Sequence, residues 1–153
     1  MEIHNTGYEV ICAGFIAAFL AQLIKFITFI LIHKKINFKC LTTTGGMPSS
    51  HSAAVCAIAT MVGLITGFNS VEFAISFGFA LVVMYDAAGV RRAAGKIAAT
   101  LNKVTEEFYK HNTQAAGEKL KELLGHTPIE VFVGALLGIA VAYGTHIYLL
   151  NYI

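Results

Sequence analysis

Long apolar runs alternate with short polar stretches along the chain, and this pattern predicts an all-α membrane protein. The runs cover residues 8–32, 51–68, 71–90 and 129–153. A helix of about 20 apolar residues crosses a hydrocarbon core about 30 Å thick. We therefore expect a polytopic membrane helical bundle of about four spans, of which 51–68 is the shortest.

The stretch between the third and fourth runs, residues 91–125, mixes charged with apolar side chains. Such alternation is typical of amphipathic helices at a surface. The sequence thus predicts a single membrane domain over residues 1–153, with a helical insert at 91–125 on one side of the membrane.

Composition favours a bilayer as the partner of this chain. Hydrophobic residues make up 56% of it and charged residues only 13%, whereas soluble domains carry about 25% charged residues. The net charge of +2 is too small for a nucleic-acid groove, so we expect no nucleic-acid partner. The three cysteines form no C-x-x-C pair and predict no metal site.

Basic residues predict the orientation, because ten of the eleven follow the first or the third apolar run. They are Lys34, Lys35, Lys39, Arg91, Arg92, Lys96, Lys103, Lys110, Lys119 and Lys121. The positive-inside rule makes both stretches cytoplasmic. We expect an integral protein of the bacterial plasma membrane in which the second run begins, the third ends and the fourth begins at the cytoplasmic face.

The second run opens with a segment, residues 45–52, that has the composition of an anion site. Pro48 suits a first helical turn, and the amides of Ser49, Ser50 and His51 are expected to lack helical partners. A helix N-terminus of this kind attracts anions. An ordinary capped helix start explains the proline and serines but gives no reason for His51.

The fourth run opens in a similar way, at residues 125–130. Thr127 can cap the helix, and Glu130 follows His126 by four residues, which is one helical turn. A carboxylate beside an imidazole selects its tautomer and leaves the other ring nitrogen to attack or to donate a proton. The alternative is a surface histidine beside a capping glutamate.

Arg91, Arg92 and Lys96 follow the third run, where any cytoplasmic helix end carries a basic collar. However, Arg92 and Lys96 are like charges at i and i+4, which repel unless an anion lies between them. A bound phosphate would remove that repulsion, and guanidinium groups bind phosphate oxygens through paired hydrogen bonds.

Lys25 lies inside the first run, nine residues before Lys34 and about 13 Å deeper along a helix. An ammonium group at this depth needs a partner or a wet cavity. Gln22 lies one turn earlier and would face the same way. Asp86, near the end of the third run, could pair with Lys25 or with an arginine.

These residues resemble a known superfamily. Pro48-Ser49-Ser50-His51 is similar to the P-S-G-H motif of the type 2 phosphatidic acid phosphatases and vanadium haloperoxidases, and residues 126–130 resemble its H-x-x-x-D motif. GGMPSSHSA, YDAAGVRR and GHTPIEV together resemble its divergent, short membrane branch. The resemblance runs from Lys25 to about Gly138.

The resemblance implies roles for the residues of both motifs. His51 would be the general acid on the leaving oxygen, His126 the nucleophile that becomes phosphorylated, and Glu130 the carboxylate that orients it. No cofactor or metal is implied, because positioning and charge neutralisation supply most of the catalysis of phosphoryl transfer.

The resemblance also implies which residues hold the phosphate. Ser49, Ser50 and the adjoining amides would contact its oxygens, together with Arg91 or Arg92 and with Lys25.

Three departures from the family pattern stand out. Ser50 replaces a glycine, no Lys-x-x-x-x-x-x-Arg-Pro motif begins at Lys25, and residues 93–125 separate the arginines from His126. Both ends of this insert are expected at one membrane face, so the cluster can still close. Since four spans are fewer than the family's usual core, a homodimer could complete the packing.

The leading hypothesis is therefore a lipid phosphatase that hydrolyses a lipid phosphate monoester or pyrophosphate of the phosphatidylglycerophosphate, phosphatidic acid or polyprenyl type. A non-catalytic phospholipid-binding protein or flippase is the alternative. A purely structural or channel subunit would predict that His51 and His126 lie far apart.

Overall fold

A computed structural model describes residues 5–34, 46–108 and 125–152 of the protein. These residues form five helices joined by turns and contain no strand. The helices are α1 (Gly7–His33), α2 (Ser50–Thr66), α3 (Val71–Ala88), α4 (Val90–Phe108) and α5 (Pro128–Tyr152). The predicted all-α class is confirmed. The part of the insert at 109–124 lies outside the described residues.

Three helical stretches are long and apolar enough to cross a membrane, namely Gly7–Ile32, Val71–Thr105 and Pro128–Asn151. The second predicted span, 51–68, corresponds to α2, a shorter apolar helix of 17 residues, which is about 26 Å long. The molecule is a helical membrane bundle, and its large apolar side chains, such as Phe15 and Phe19, are exposed on the outside as lipid contact requires.

α2 lies at the centre of the bundle. It packs against α1, α3 and α5, whereas α1 and α3 do not touch each other within the described ranges. The buried core consists mainly of alanines, which allow helices to approach closely where lipid offers no hydrophobic driving force. Its members are Ala13, Ala17, Ala21, Ala53, Ala57, Met61 and Ala142.

α5 approaches α2 most closely at two glycines one turn apart. A Cβ on Gly134 would collide with the backbone carbonyl of Ser49, and a Cβ on Gly138 would collide with that of Ala53. The two helix backbones are therefore in direct contact, and the start of α2 is held against the first turns of α5.

A buried contact between a carboxylate and a histidine joins the first and last helices at the end of the bundle remote from the start of α2. Glu9 is fully buried, and its Oε1 lies 2.6 Å from Nδ1 of His146. Its other oxygen accepts a 2.6 Å hydrogen bond from the amide of Asn5. No motif in the sequence indicates this pair, although an ionisable residue in an apolar helix requires a partner.

Gly138→Ala is expected to destabilise the protein, because its methyl group would enter the backbone of α2 and overpacking of this kind costs about 1–3 kcal/mol. Gly144→Ala is the matched control on the same helix, where the added Cβ meets nothing within 4 Å. Thermal unfolding in detergent should show a lower Tm for the first variant only. Equal Tm values would contradict the close approach of α5 and α2.

Candidate functional site

The start of α2 is fixed by Ser49, which is the N-cap residue. Its hydroxyl accepts hydrogen bonds from the amide of Ser52 at 3.3 Å and from the Ser52 hydroxyl at 3.0 Å. Its own amide donates to the backbone carbonyl of Glu130 at 3.0 Å. Two expectations are thereby corrected, since Pro48 precedes the cap instead of opening the helix, and the amide of Ser49 is already engaged by α5.

The anion-binding capacity of this helix start therefore lies one residue further on. Within the described part of the chain, the amides of Ser50 and His51 have no hydrogen-bond partner, as the first amides of a helix normally do not. Ser50 is buried, whereas His51 is exposed. These two amides and the helix dipole attract negative charge.

The start of α5 combines a helix cap with a histidine–carboxylate pair. The amide of Glu130 donates to the Thr127 hydroxyl at 3.4 Å, and the amide of Thr127 donates to Oε2 of Glu130 at 3.1 Å. This reciprocal arrangement is a capping box. The same Oε2 lies 3.1 Å from Nδ1 of His126.

The pairing with Glu130 determines which nitrogen of His126 is available for chemistry. A carboxylate at this distance favours the tautomer with the proton on Nδ1, because an ionised carboxylate can only accept hydrogen bonds. In that tautomer Nε2 has a free lone pair, which is the requirement for a nucleophile or a base. The side chain of His126 is 6% exposed and that of Glu130 is 20% exposed, so the pair is largely shielded from water.

Gly125 brings the two ends of the insert together. A Cβ at this position would lie 2.5 Å from the backbone of Arg91 and would collide with the amide nitrogen of Arg92. The chain before α5 thus crosses directly over the junction of α3 and α4. The separation of the arginines from His126 in sequence is closed in space by this contact, which only a residue without a side chain permits.

Arg91 is held by Asp86. Its Nε lies 2.6 Å from Oδ2 of the carboxylate, and both side chains are partly exposed. Because the bond uses Nε, the two terminal nitrogens of the guanidinium remain available to a further acceptor. Of the partners considered for Asp86 in the sequence, Arg91 is the one observed.

Lys25 and Gln22 contribute from α1. Lys25 is only 6% exposed, and its Cδ and Cε lie 3.6 and 3.8 Å from the position of a Cβ on Gly46. Gly46 has a φ of +85°, which favours glycine at this turn. Gln22 is half-buried one turn before Lys25, with its Oε1 atom inaccessible to solvent.

The other two basic residues at the start of α4, Arg92 and Lys96, differ in how far they are buried. Arg92 is half-buried and contributes its backbone to the contact with Gly125. Lys96 is exposed one turn further along α4, and within the described residues it forms no ion pair.

His51 lies within electrostatic range of Arg91, His126 and Lys25. These three residues belong to the start of α4, the segment just before α5 and the second half of α1, so side chains from four segments, α2 included, lie near one end of the bundle. Within the described ranges no three His, Cys, Asp or Glu side chains gather as a metal site.

This arrangement places two imidazoles, several cationic side chains and two amides without hydrogen-bond partners at one end of a helical membrane bundle. The fold is that of a polytopic membrane protein. The model of the divergent PAP2 family matches residues 6–141, and the chain belongs to this family.

A relative supports the same assignment. The chain is 46% identical over 133 residues to a protein of Bacillus subtilis (strain 168) named Uncharacterized membrane protein YuiD, and the match covers 80% of this chain and 84% of the relative. No solved structure matches the chain.

Thr127→Ala and Glu130→Gln separate the cap from the orientation of His126. Thr127→Ala removes the hydroxyl acceptor and should lower the free energy of unfolding by about 1 kcal/mol, with the His126 proton still on Nδ1. Glu130→Gln keeps a capping acceptor but removes the charge, so the proton should redistribute between the two ring nitrogens. Nitrogen-15 NMR of labelled histidine measures this distribution. A wild-type ring protonated only at Nε2 would contradict the assignment.

Proposed function

We propose that the protein is a metal-independent lipid phosphatase, which hydrolyses a lipid phosphate monoester or pyrophosphate through a phosphohistidine intermediate. The observation that carries the proposal is the hydrogen bond between Nδ1 of His126 and Glu130 beside the start of α2. It leaves Nε2 of a shielded imidazole as a nucleophile next to a helix N-terminus that attracts anions.

The phosphate group binds at the start of α2. Its oxygens accept hydrogen bonds from the amides of Ser50 and His51 and from the terminal nitrogens of Arg91, while Asp86 positions that guanidinium. The ammonium group of Lys25 supplies further positive charge, which favours the developing charge of the transition state. Ser49 acts indirectly, by capping α2 and tying it to α5. Arg92 and Lys96 extend the positive field toward solvent.

In the first chemical step, Nε2 of His126 attacks phosphorus in line with the leaving oxygen. The P–N bond forms, the P–O bond to the lipid breaks, and His51 donates a proton to the departing alkoxide or phosphate. Glu130 stabilises the positive charge that develops on the ring of His126. In the second step His51 takes a proton from water, whose oxygen displaces the histidine and releases inorganic phosphate.

The substrate is a lipid because the site lies at one end of a membrane-spanning bundle. Gly46 contacts Lys25 eight residues before α1 ends at His33, so the site is recessed by about 12 Å from the end of that helix. A head group can reach it while the apolar chains remain in the bilayer. With the site on the cytoplasmic side of a bacterial plasma membrane, phosphatidylglycerophosphate, phosphatidic acid and polyprenyl phosphates are all suitable substrates.

The burial of His126 favours a second candidate function. At 6% exposure, this ring could stabilise the head-group pocket of a phospholipid-binding protein or flippase without ever reacting. Release of phosphate distinguishes the two functions.

His126→Asn is expected to abolish phosphate release from a panel of lipid phosphates, because Asn keeps a donor for Glu130 but has no nucleophilic nitrogen. The loss should be at least about 10³-fold, since removal of a nucleophile leaves only binding and electrostatic effects. Phosphate release in detergent with a metal chelator present provides the measurement, and retained binding of a fluorescent lipid provides the control. Binding by wild-type protein without release from any lipid would support the non-catalytic function.

His51→Ala tests the general acid through the leaving group. The rate on a lipid monoester, whose alkoxide needs a proton, should fall by about 10²–10⁴-fold. The burst of phenolate released from an aryl phosphate in the first step should fall much less, because this leaving group needs no proton and only the later release of phosphate uses His51 as a base. An equal loss on both substrates would mean that His51 acts in binding or in folding instead of proton transfer.

A further inference from the structure

α4 carries an exposed apolar stripe that no described helix covers. Four large side chains repeat along one face at spacings of seven, four and three residues, and between 43% and 62% of their surfaces are exposed. They are Val90, Ile97, Leu101 and Val104. Among the described helices α4 packs only against α3, so this stripe is free to contact lipid or another protein.

The opposite side of α4 faces protein. Gly95 and Asn102, which are seven residues apart, are both buried. At 100° per residue they lie more than a quarter turn from the apolar stripe. The helix is therefore oriented, with one side toward the molecule and the apolar stripe away from it.

The position of α4 follows from the length of α3. The helical stretch Val71–Thr105 contains 35 residues, about 52 Å, whereas the hydrocarbon core is about 30 Å thick. The 18 residues of α3 suffice for the crossing, and the break at Gly89, with φ −102° and ψ −86°, separates the two helices. α4 consequently begins at the level of the lipid head groups.

The charges of α4 indicate whether its apolar stripe contacts lipid or another protein. α4 carries four basic residues, Arg91, Arg92, Lys96 and Lys103, and its two acidic residues, Glu106 and Glu107, are confined to its last turn, so the helix is basic over most of its length. These basic residues lie about a quarter of a turn or more from the stripe, so a helix with its stripe buried in a leaflet holds them at the level of the head groups, where anionic lipids would neutralise them. Basic amphipathic helices of this composition lie in the membrane interface.

We propose that α4 is an interfacial helix, which buries Val90, Ile97, Leu101 and Val104 in the leaflet next to the candidate site and binds anionic lipid head groups through its basic residues. The helix gathers anionic lipids beside Arg91 whether or not the site turns them over. The proposal is thus independent of the proposed phosphatase activity.

The chain contains no tryptophan, so a single introduced tryptophan reports on its own surroundings. Leu101→Trp places the probe on the apolar stripe, and Lys103→Trp is the matched control on the other side of the helix. Each full-length variant is reconstituted into vesicles of phosphatidylglycerol and phosphatidylcholine whose acyl chains carry bromine. The Leu101→Trp probe should emit at shorter wavelength and be quenched at least about twofold more strongly than the control.

Two results would overturn the proposal. Water-like emission from Leu101→Trp with equal quenching of both probes would place the stripe in solvent. Short-wavelength emission without bromine quenching would mean that protein, such as a second copy, covers it.

The charge component has its own test. When only one lipid is brominated, at equal mole fraction, quenching of Leu101→Trp by phosphatidylglycerol should exceed that by phosphatidylcholine by about twofold. Adding Lys103→Gln should reduce the excess. Equal quenching by both lipids would overturn the anionic preference.

Discussion

The candidate site depends on the contact between the starts of α2 and α5. The amide of Ser49 donates to the carbonyl of Glu130, and Gly134 allows the backbone of α5 to lie directly against Ser49. A backbone hydrogen bond between two helix ends tolerates little movement, and Ser49 is fully buried, so solvent does not compete for this bond. The anion-attracting end of one helix is thereby held beside the histidine–carboxylate pair of the other.

The remaining cations are placed by contacts with this central pair. Gly125 sets the chain before α5 on the backbone of Arg91 and Arg92, and Asp86 then directs the guanidinium of Arg91. Lys25 reaches the start of α2 beside Gly46. Each contact joins a different helix to the same point, so a change at any of them alters the site without touching the histidines.

Sequence reasoning could predict what depends on short-range periodicity. Apolar runs of about 20 residues must become helices in lipid, and residues four apart must share a helix face, which is why the pairing of His126 with Glu130 could be expected. The serine-rich start of α2 followed from its capping residues. The helix bounds also lie close to the predicted runs, because the polar breaks between them leave little choice.

Contacts between distant segments could not be predicted in this way. Three such contacts depend on how the helices are arranged. Asp86 pairs with Arg91, α5 accepts a hydrogen bond from the amide of Ser49, and Glu9 contacts His146. The sequence shows Gly125 only as part of a helix start, because its neighbours along the chain do not indicate that another backbone segment crosses it. Because α5 uses the amide of Ser49, the amides without a partner at this helix start are those of Ser50 and His51, and the Ser49 hydroxyl caps α2.

The central claim is that His126 carries the phosphoryl group between the lipid and water. Brief incubation with a lipid phosphate labelled with phosphorus-32, followed by an alkaline quench that preserves phosphohistidine and by peptide mapping, tests it directly. We expect label on Nε2 of His126. In a His51 variant, which should be slow in the second step, an aryl phosphate used as the labelled donor should give a larger amount of this label. Turnover with label on another residue, or with no protein-bound label at any time, would contradict it.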